Sequence, residues 1–180
     1  MHKYIALLRA INVGGHTVKM DQLKKLFEKM GFAKVETFIA SGNVFFESKI
    51  IKAETIKQKI EIELHKALGY NVGAFIRTTE ELRAIADYKP FKESDLSQTG
   101  NSLYIALLDR APSKELQKNV MALSDKLREF HFNNKEMYWL CRGKFSDSGI
   151  SGKLLEKTLE METTIRNSKT IKKIVLKFCN

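Results

Sequence analysis

Tyr4-Ile5-Ala6-Leu7-Leu8-Arg9-Ala10-Ile11-Asn12-Val13-Gly14-Gly15 carries the plan of the chain. Its first five residues are apolar without a break, the pattern of a strand covered on both faces rather than one with a wet side. The strand opens into a polar loop with two adjacent glycines, where backbone N–H groups approach a ligand without a Cβ in the way. Met20, Leu23, Phe27 and Met30 follow at helical spacing and stop at Gly31. Asp21 sits in the first turn of that helix, where negative charge suits the helix dipole.

Working outward, Val35–Ile39 reads as a strand, Ala40-Ser41-Gly42-Asn43 as a turn and Val44–Glu47 as the hairpin partner. Ile56, Ile60, Leu64, Ala67 and Leu68 form one helical stripe ended by Gly69, and Val72–Arg77 is a fourth strand. Thr78-Thr79-Glu80-Glu81 is a capping box for a further helix. The second half then restarts: Tyr104-Ile105-Ala106-Leu107-Leu108 repeats Tyr4–Leu8 at an offset of one hundred. A helix, a hairpin turning at Asn133-Asn134, a helix from Lys153, a short strand at Thr163–Arg166 and a last helix complete the same order. The expected fold is α+β: a duplicated ferredoxin-like (split βαβ) arrangement of two β-α-β-β-α-β halves, each with an extra C-terminal helix. The halves are expected at 1–88 and 103–180, with the polar, turn-rich residues 89–102 as linker.

At 180 residues, folding buries roughly 70% of the unfolded surface, so neither metal nor disulfide is needed as a staple. No apolar run approaches the ~20 residues of a membrane span. Cys141 and Cys179 lack a C-x-x-C spacing and no secretory leader is readable, which predicts a reduced, cytoplasmic protein. The formal charge of +10 favours anionic partners. Its excess lies at the two ends of the chain; Arg166, Lys169, Lys172, Lys173 and Lys177 are accompanied by no acid over the last fifteen residues.

Leu-Arg-x-Ile-Asn-Val-Gly-Gly (8–15), Lys19-Met20 with Leu23, Gly31-Phe32 and Thr37-Phe38-Ile39-x-Ser41-Gly42-Asn43-Val44 resemble the bacterial domain of unknown function 1697 family. Pro90-Phe91, Ser151-x-Lys153-Leu154 and Thr164-x-Arg166-Asn167 extend the likeness over nearly the whole chain. The resemblance implies the same duplicated fold and no particular activity. The chain departs from the family pattern at Ala10, usually Gly, at Ala40, usually Gln, and at Ser168-Lys169, usually Trp-Asn.

In a split βαβ unit the first two strands run parallel, so the loop after the first and the turn after the second share a sheet edge. Arg9, Asn12, Gly14, Gly15 and His16 should therefore face Ser41, Gly42 and Asn43, a donor-rich cluster before a helix N-terminus that suits an oxyanion. The same residues also serve as a tight turn and a hairpin turn, and the sequence leaves both readings open. A second glycine loop, Gly149-Ile150-Ser151-Gly152-Lys153-Leu154, fails as a P-loop because Asp147 takes the first glycine position and Leu154 the last. It remains an anion nest with Lys153 or a helix cap. The combined expectation is an anionic small-molecule site, for phosphate or carboxylate, between the two halves, drawing on Arg9, Asn12, Asn43, Lys153, Arg166 and Asn167.

Catalytic machinery is thin. His16 is the one histidine beside the expected site; His2, His65 and His131 are scattered, and no triad, HExxH or aspartate cluster can be read. No metal and no cofactor are expected, and no motif sets a reaction or an oligomeric state. The alternative function class is a basic nucleic-acid-associated protein without catalysis. Against it, Gly42-Asn43-Val44-Phe45-Phe46-Glu47 lacks the stacking pattern of an RNA-recognition strand.

Overall fold

The computed structural model describes residues 1–12, 14–143 and 149–179. The chain divides into two compact units, Met1–Ala84 with Ile174–Asn180, and Ile85–Lys173.

In the first unit β1 (His2–Arg9), α1 (Met20–Lys29), β2 (Ala33–Phe38), β3 (Asn43–Ser48), α2 (Ala53–Leu68) and β4 (Gly73–Thr78) follow in order, and α3 (Thr79–Asp87) begins there. The sheet order is β2-β3-β1-β4 with every pair antiparallel, the split βαβ arrangement. The inner strands are those with unbroken apolar runs: Tyr4–Leu8 and all of β3 are buried. Tyr4, Ala6, Leu8, Val44, Phe46, Ala74 and Ile76 face α1 and α2, packing with Leu23, Phe27, Ile56, Ile60 and Leu64.

Alternation puts Ile5, Phe45 and Arg77 on the other face, where the end of α7 (Ser168–Phe178) closes it. Phe178 stacks on Phe45 at 5.0 Å with ring planes 4° apart, and meets Phe38 edge-on at 6.1 Å. Lys177 reaches Glu36 at 3.1 Å and lies over the Phe178 ring. Phe45 is thereby only 7% exposed, so this sheet offers no open aromatic platform of the RNA-recognition kind. The capping box is reciprocal: the Glu81 amide donates to Thr78 Oγ1 at 3.1 Å, and the Thr78 amide to Glu81 Oε2 at 2.8 Å.

The second unit repeats the plan with β5 (Asn101–Leu108), α5 (Lys114–Met121), β6 (Arg128–Asn133), β7 (Glu136–Arg142), α6 (Gly152–Leu159) and β8 (Thr163–Asn167). Its sheet order is β6-β7-β5-β8. The stretch expected as linker holds a short helix, α4 (Glu93–Ser97), and the first residues of β5. Ala106, Leu108, Phe130, Met137 and Trp139 pack with Val120, Leu155 and Leu159 of α5 and α6. Residues from the end of α3 cover the opposite face: the Tyr138 hydroxyl donates to Ile85 O at 3.1 Å, and Tyr88 Oη and His131 Nε2 share a hydrogen bond of 2.8 Å. Burial first, then the Glu136 and Tyr88 charges, pushes the Tyr138 hydroxyl well above the ordinary tyrosine range. Among the described residues no helix is long and apolar enough to cross a membrane.

The first half of β5 differs from the expectation of a strand buried from Tyr104 onward. Asn101–Tyr104 are half-buried and only Ile105–Leu108 are fully covered. Of these residues, Asn101, Ser102 and Leu103 line an open cleft.

Phe178→Ala removes the ring that covers Phe45 and should lower stability by about 3 kcal/mol. Urea denaturation with an unchanged m-value checks this; a loss under about 1 kcal/mol would mean that α7 does not seal the face.

Candidate functional site

The loop after β1 and the turn after β2 meet, as the topology requires. The Leu8 amide donates to Gly42 O at 2.8 Å. Asn12 ties the two segments with both ends of its amide: Nδ2 donates to Ala40 O at 2.8 Å and Oδ1 accepts from the Val18 amide at 2.7 Å. Asn43 is buried and its Nδ2 donates to Phe38 O at 3.0 Å and Ser41 Oγ at 2.8 Å. The Tyr70 hydroxyl donates to Ile11 O at 2.9 Å, and the His16 ring stacks on Tyr70 at 3.9 Å. The side chains of Asn12, Ser41 and Asn43 thus serve local backbone and each other. Together these contacts form a lock between two turns.

Backbone conformation in the lock is demanding. Gly42 has φ 72°, and a Cβ there would lie 2.6 Å from Ile11 Cγ2 and 3.1 Å from Leu8 Cβ. Gly14 and Gly15 have φ of 63° and 87° in open space. Ala10 at φ 63° and Ile39 at φ 52° adopt the left-handed region without being glycine. Position 10 is the one where the family pattern has Gly, and the backbone explains why. Arg9, half-buried, ends β1 beside the lock.

In the second unit, Arg166 and Lys153 are not brought together. Arg166 pairs with Ile105 and lies on the sheet face away from α5 and α6, whereas Lys153 is in the first turn of α6 on the other face. Arg166 is buried; its Nη1 donates to Thr164 Oγ1 at 2.8 Å and Ile165 O at 3.0 Å, and burial lowers its guanidinium to about 10. It remains a cation at neutral pH. The Ser151 hydroxyl accepts from the Leu154 amide at 3.1 Å, so the glycine loop before Lys153 ends as a helix cap. Asp147, the residue that breaks its P-loop pattern, lies outside the described residues.

Asn167, one of the residues selected from the sequence, lines a cavity. The cleft holds about 630 Å³ and lies wholly within the second unit. Its walls are the half-buried start of β5 (Asn101, Ser102, Leu103), the end of α3 with Lys89, and Asn167, Ser168, Lys169 and Lys172 at the start of α7. Asn167 Oδ1 accepts from the Lys169 amide at 2.9 Å, capping that helix. Asp87 and Glu93 also line the cleft. Lys169 and Lys172 belong to the basic C-terminal stretch read from the sequence, and Lys89, Asn101 and Ser102 to the stretch read as linker; none of them was among the expected site residues. The signal that marks them is the polar Asn101-Ser102 pair entering an otherwise apolar strand, together with Lys169 and Lys172 one helical turn apart. Among the described residues, no group of three or more His, Cys, Asp or Glu is placed to hold a metal ion.

Fold and site together define a two-unit α+β protein with a duplicated split βαβ plan and a polar cleft in its second unit. The model of the family described as "Protein of unknown function (DUF1697)" matches residues 1–138, and the chain belongs to that family. No curated protein matches it. Among solved structures, the chain is similar to the conserved bacterial protein SP0830 from Streptococcus pneumoniae, at 23% identity and a TM-score of 0.78. That likeness covers 100% of this chain and 99% of the other, and speaks for the fold.

The lock yields two opposite expectations. Ala10→Gly should raise stability by about 1 kcal/mol by relieving the left-handed alanine. Gly42→Ala should lower it by about 3 kcal/mol, because the new methyl overlaps Ile11 in a conformation alanine disfavours. Thermal and urea melts of both variants decide; a destabilised Ala10→Gly would contradict the strain.

Proposed function

We propose that the chain binds a small polar molecule carrying a phosphate or carboxylate, in the cleft of its second unit. The observation that carries this reading is a cavity of ligand size, about 630 Å³, with three lysines (Lys89, Lys169 and Lys172) on its walls. Lysine ammonium groups form charge-assisted hydrogen bonds with oxyanions. Asn101, Ser102, Asn167 and Ser168 add neutral donors and acceptors, and Asp87 and Glu93 suit hydroxyl or amine groups elsewhere on the ligand. The proposed cleft keeps the ligand class expected from the sequence, an anion held by cations and amide groups. Of the residues then selected, Asn167 stays in it.

The test is a melt of the full chain with inorganic phosphate at fixed ionic strength, since a ligand of the native state raises Tm by mass action. Phosphate should raise Tm of the wild type, and Lys169→Ala and Lys172→Ala should each weaken binding about tenfold. Both side chains are exposed, so the variants should melt like the wild type without phosphate. Unchanged phosphate affinity in both variants would refute the reading. Single-stranded oligonucleotide binding that needs the same lysines and collapses steeply with salt, without any phosphate response, would put the nucleic-acid class in its place.

A further inference from the structure

The first unit has a cavity of its own, about 410 Å³, lined by Met1, His2, Lys3, Thr78, Thr79, Glu80, Arg83, Phe178 and Cys179. All of these residues belong to that unit. Strand register relates it to the cleft of the second unit. Tyr4 pairs with Thr78 as Tyr104 pairs with Asn167, and Ile5 pairs with Arg77 as Ile105 pairs with Arg166. Residues 1–3 therefore correspond to 101–103, and Thr78, Thr79, Glu80 and Arg83 correspond to Asn167, Ser168, Lys169 and Lys172. Every one of these positions lines its own cavity. Two cavities with matching walls, at matching places in two copies of one fold, are a property of the repeated unit and not an accident of packing.

The walls differ in charge: Lys3 stands where the second unit has Leu103, and the helix that follows carries a reversal of sign. Arg83 and Lys172 are both cations, but Glu80 stands where the second unit has Lys169. We infer that the first unit carries a second ligand cleft, in which Glu80 turns the preference from a simple anion to a zwitterion, with Lys3 and Arg83 on its anionic end and Glu80 on its ammonium. This rests on the anion-binding reading of the second cleft.

Glu80 is equipped for that role. Its carboxylate is held below the ordinary glutamate range by a hydrogen bond with its own backbone amide, by the Thr78 and Thr79 hydroxyls and by the Arg83 charge. Thr79 Oγ1 donates to Glu80 Oε1 at 3.1 Å, and a carboxylate, with about four lone-pair sites, keeps acceptor capacity for an ammonium group beside these bonds. A fixed negative charge beside Lys3 and Arg83 repels a ligand that is anionic throughout and accepts one that carries both signs.

Backbone-amide NMR of the full chain, titrated separately with inorganic phosphate and with glycine as the zwitterionic probe, tests this. In the wild type, phosphate should shift the amides of 167–172 and leave 78–83 in place, while glycine shifts 78–83. Glu80→Lys should reverse the first cleft: phosphate now shifts 78–83 and glycine does not. Glu80→Gln, which keeps the shape and removes the charge, should lose the glycine response without needing a new cation to be tolerated. Glu80→Lys amides at 78–83 that ignore phosphate while 167–172 still respond would overturn the inference and spare the proposed function. So would a wild type in which glycine leaves 78–83 unmoved. Absence of a phosphate response at 167–172 in the wild type would overturn both.

Discussion

A sheet whose inner strands are apolar at every position has to be covered twice. Helices from the βαβ crossovers cover one face of each sheet, and that much follows from the topology. In the first unit the other face is closed by the stacking of Phe178 on Phe45, two parallel rings at 5.0 Å. In the second it is closed by Tyr88 and Ile85 over Tyr138. The short helix after each set of four strands is therefore a cover, required by the burial of β1, β3, β5 and β7. An aromatic ring is well suited to the task, because it buries a large area with few rotatable bonds and still stacks specifically.

The same covered face holds a buried arginine in each unit, Arg77 opposite Ile5 and Arg166 opposite Ile105. Each donates from Nη1 to the carbonyl of the preceding residue, at 2.9 and 3.0 Å. Burying a guanidinium is costly unless it is hydrogen-bonded, so finding it at the same register position in both units ties the copies together more firmly than the apolar repeat does. From those matched strands the chain passes directly into a helix cap, Thr78 in one unit and Asn167 in the other. Both clefts open at that junction. There the starts of β1 and β5, paired only with β3 and β7, lose their cover.

The loop after β1 shows how a donor-rich, glycine-bearing segment can be spent on architecture. Asn12 uses both groups of its amide on the backbone of two different segments. Gly42 admits Ile11 by lacking a Cβ. Left-handed residues gather at the same edge, Ala10 and Ile39 among them, and their strain is offset by the hydrogen bonds and packing of the lock. A motif can be long and specific because a turn is difficult to build.

Element order, the duplication and the identity of the inner strands were legible in the residues themselves. Each rests on local periodicity: Tyr4–Leu8 and Tyr104–Leu108 as unbroken apolar runs, Met20 to Met30 at helical spacing, Thr78 and Glu81 at capping-box spacing. The candidate site was legible only in kind. The ligand class proposed for it, an oxyanion met by cations and amide groups, comes from composition and motif, and Asn167 was among the residues selected. Its position was not readable, because a motif fixes neighbours along the chain and not which face of a sheet a side chain takes. Arg166 and Lys153 are thirteen residues apart and on opposite faces. Lys89 and Lys169, eighty residues apart, line one cavity. The alternation of β8 and the return of residues 85–89 to the sheet of the second unit decided both outcomes, and those are properties of pairing and packing that only the folded chain possesses.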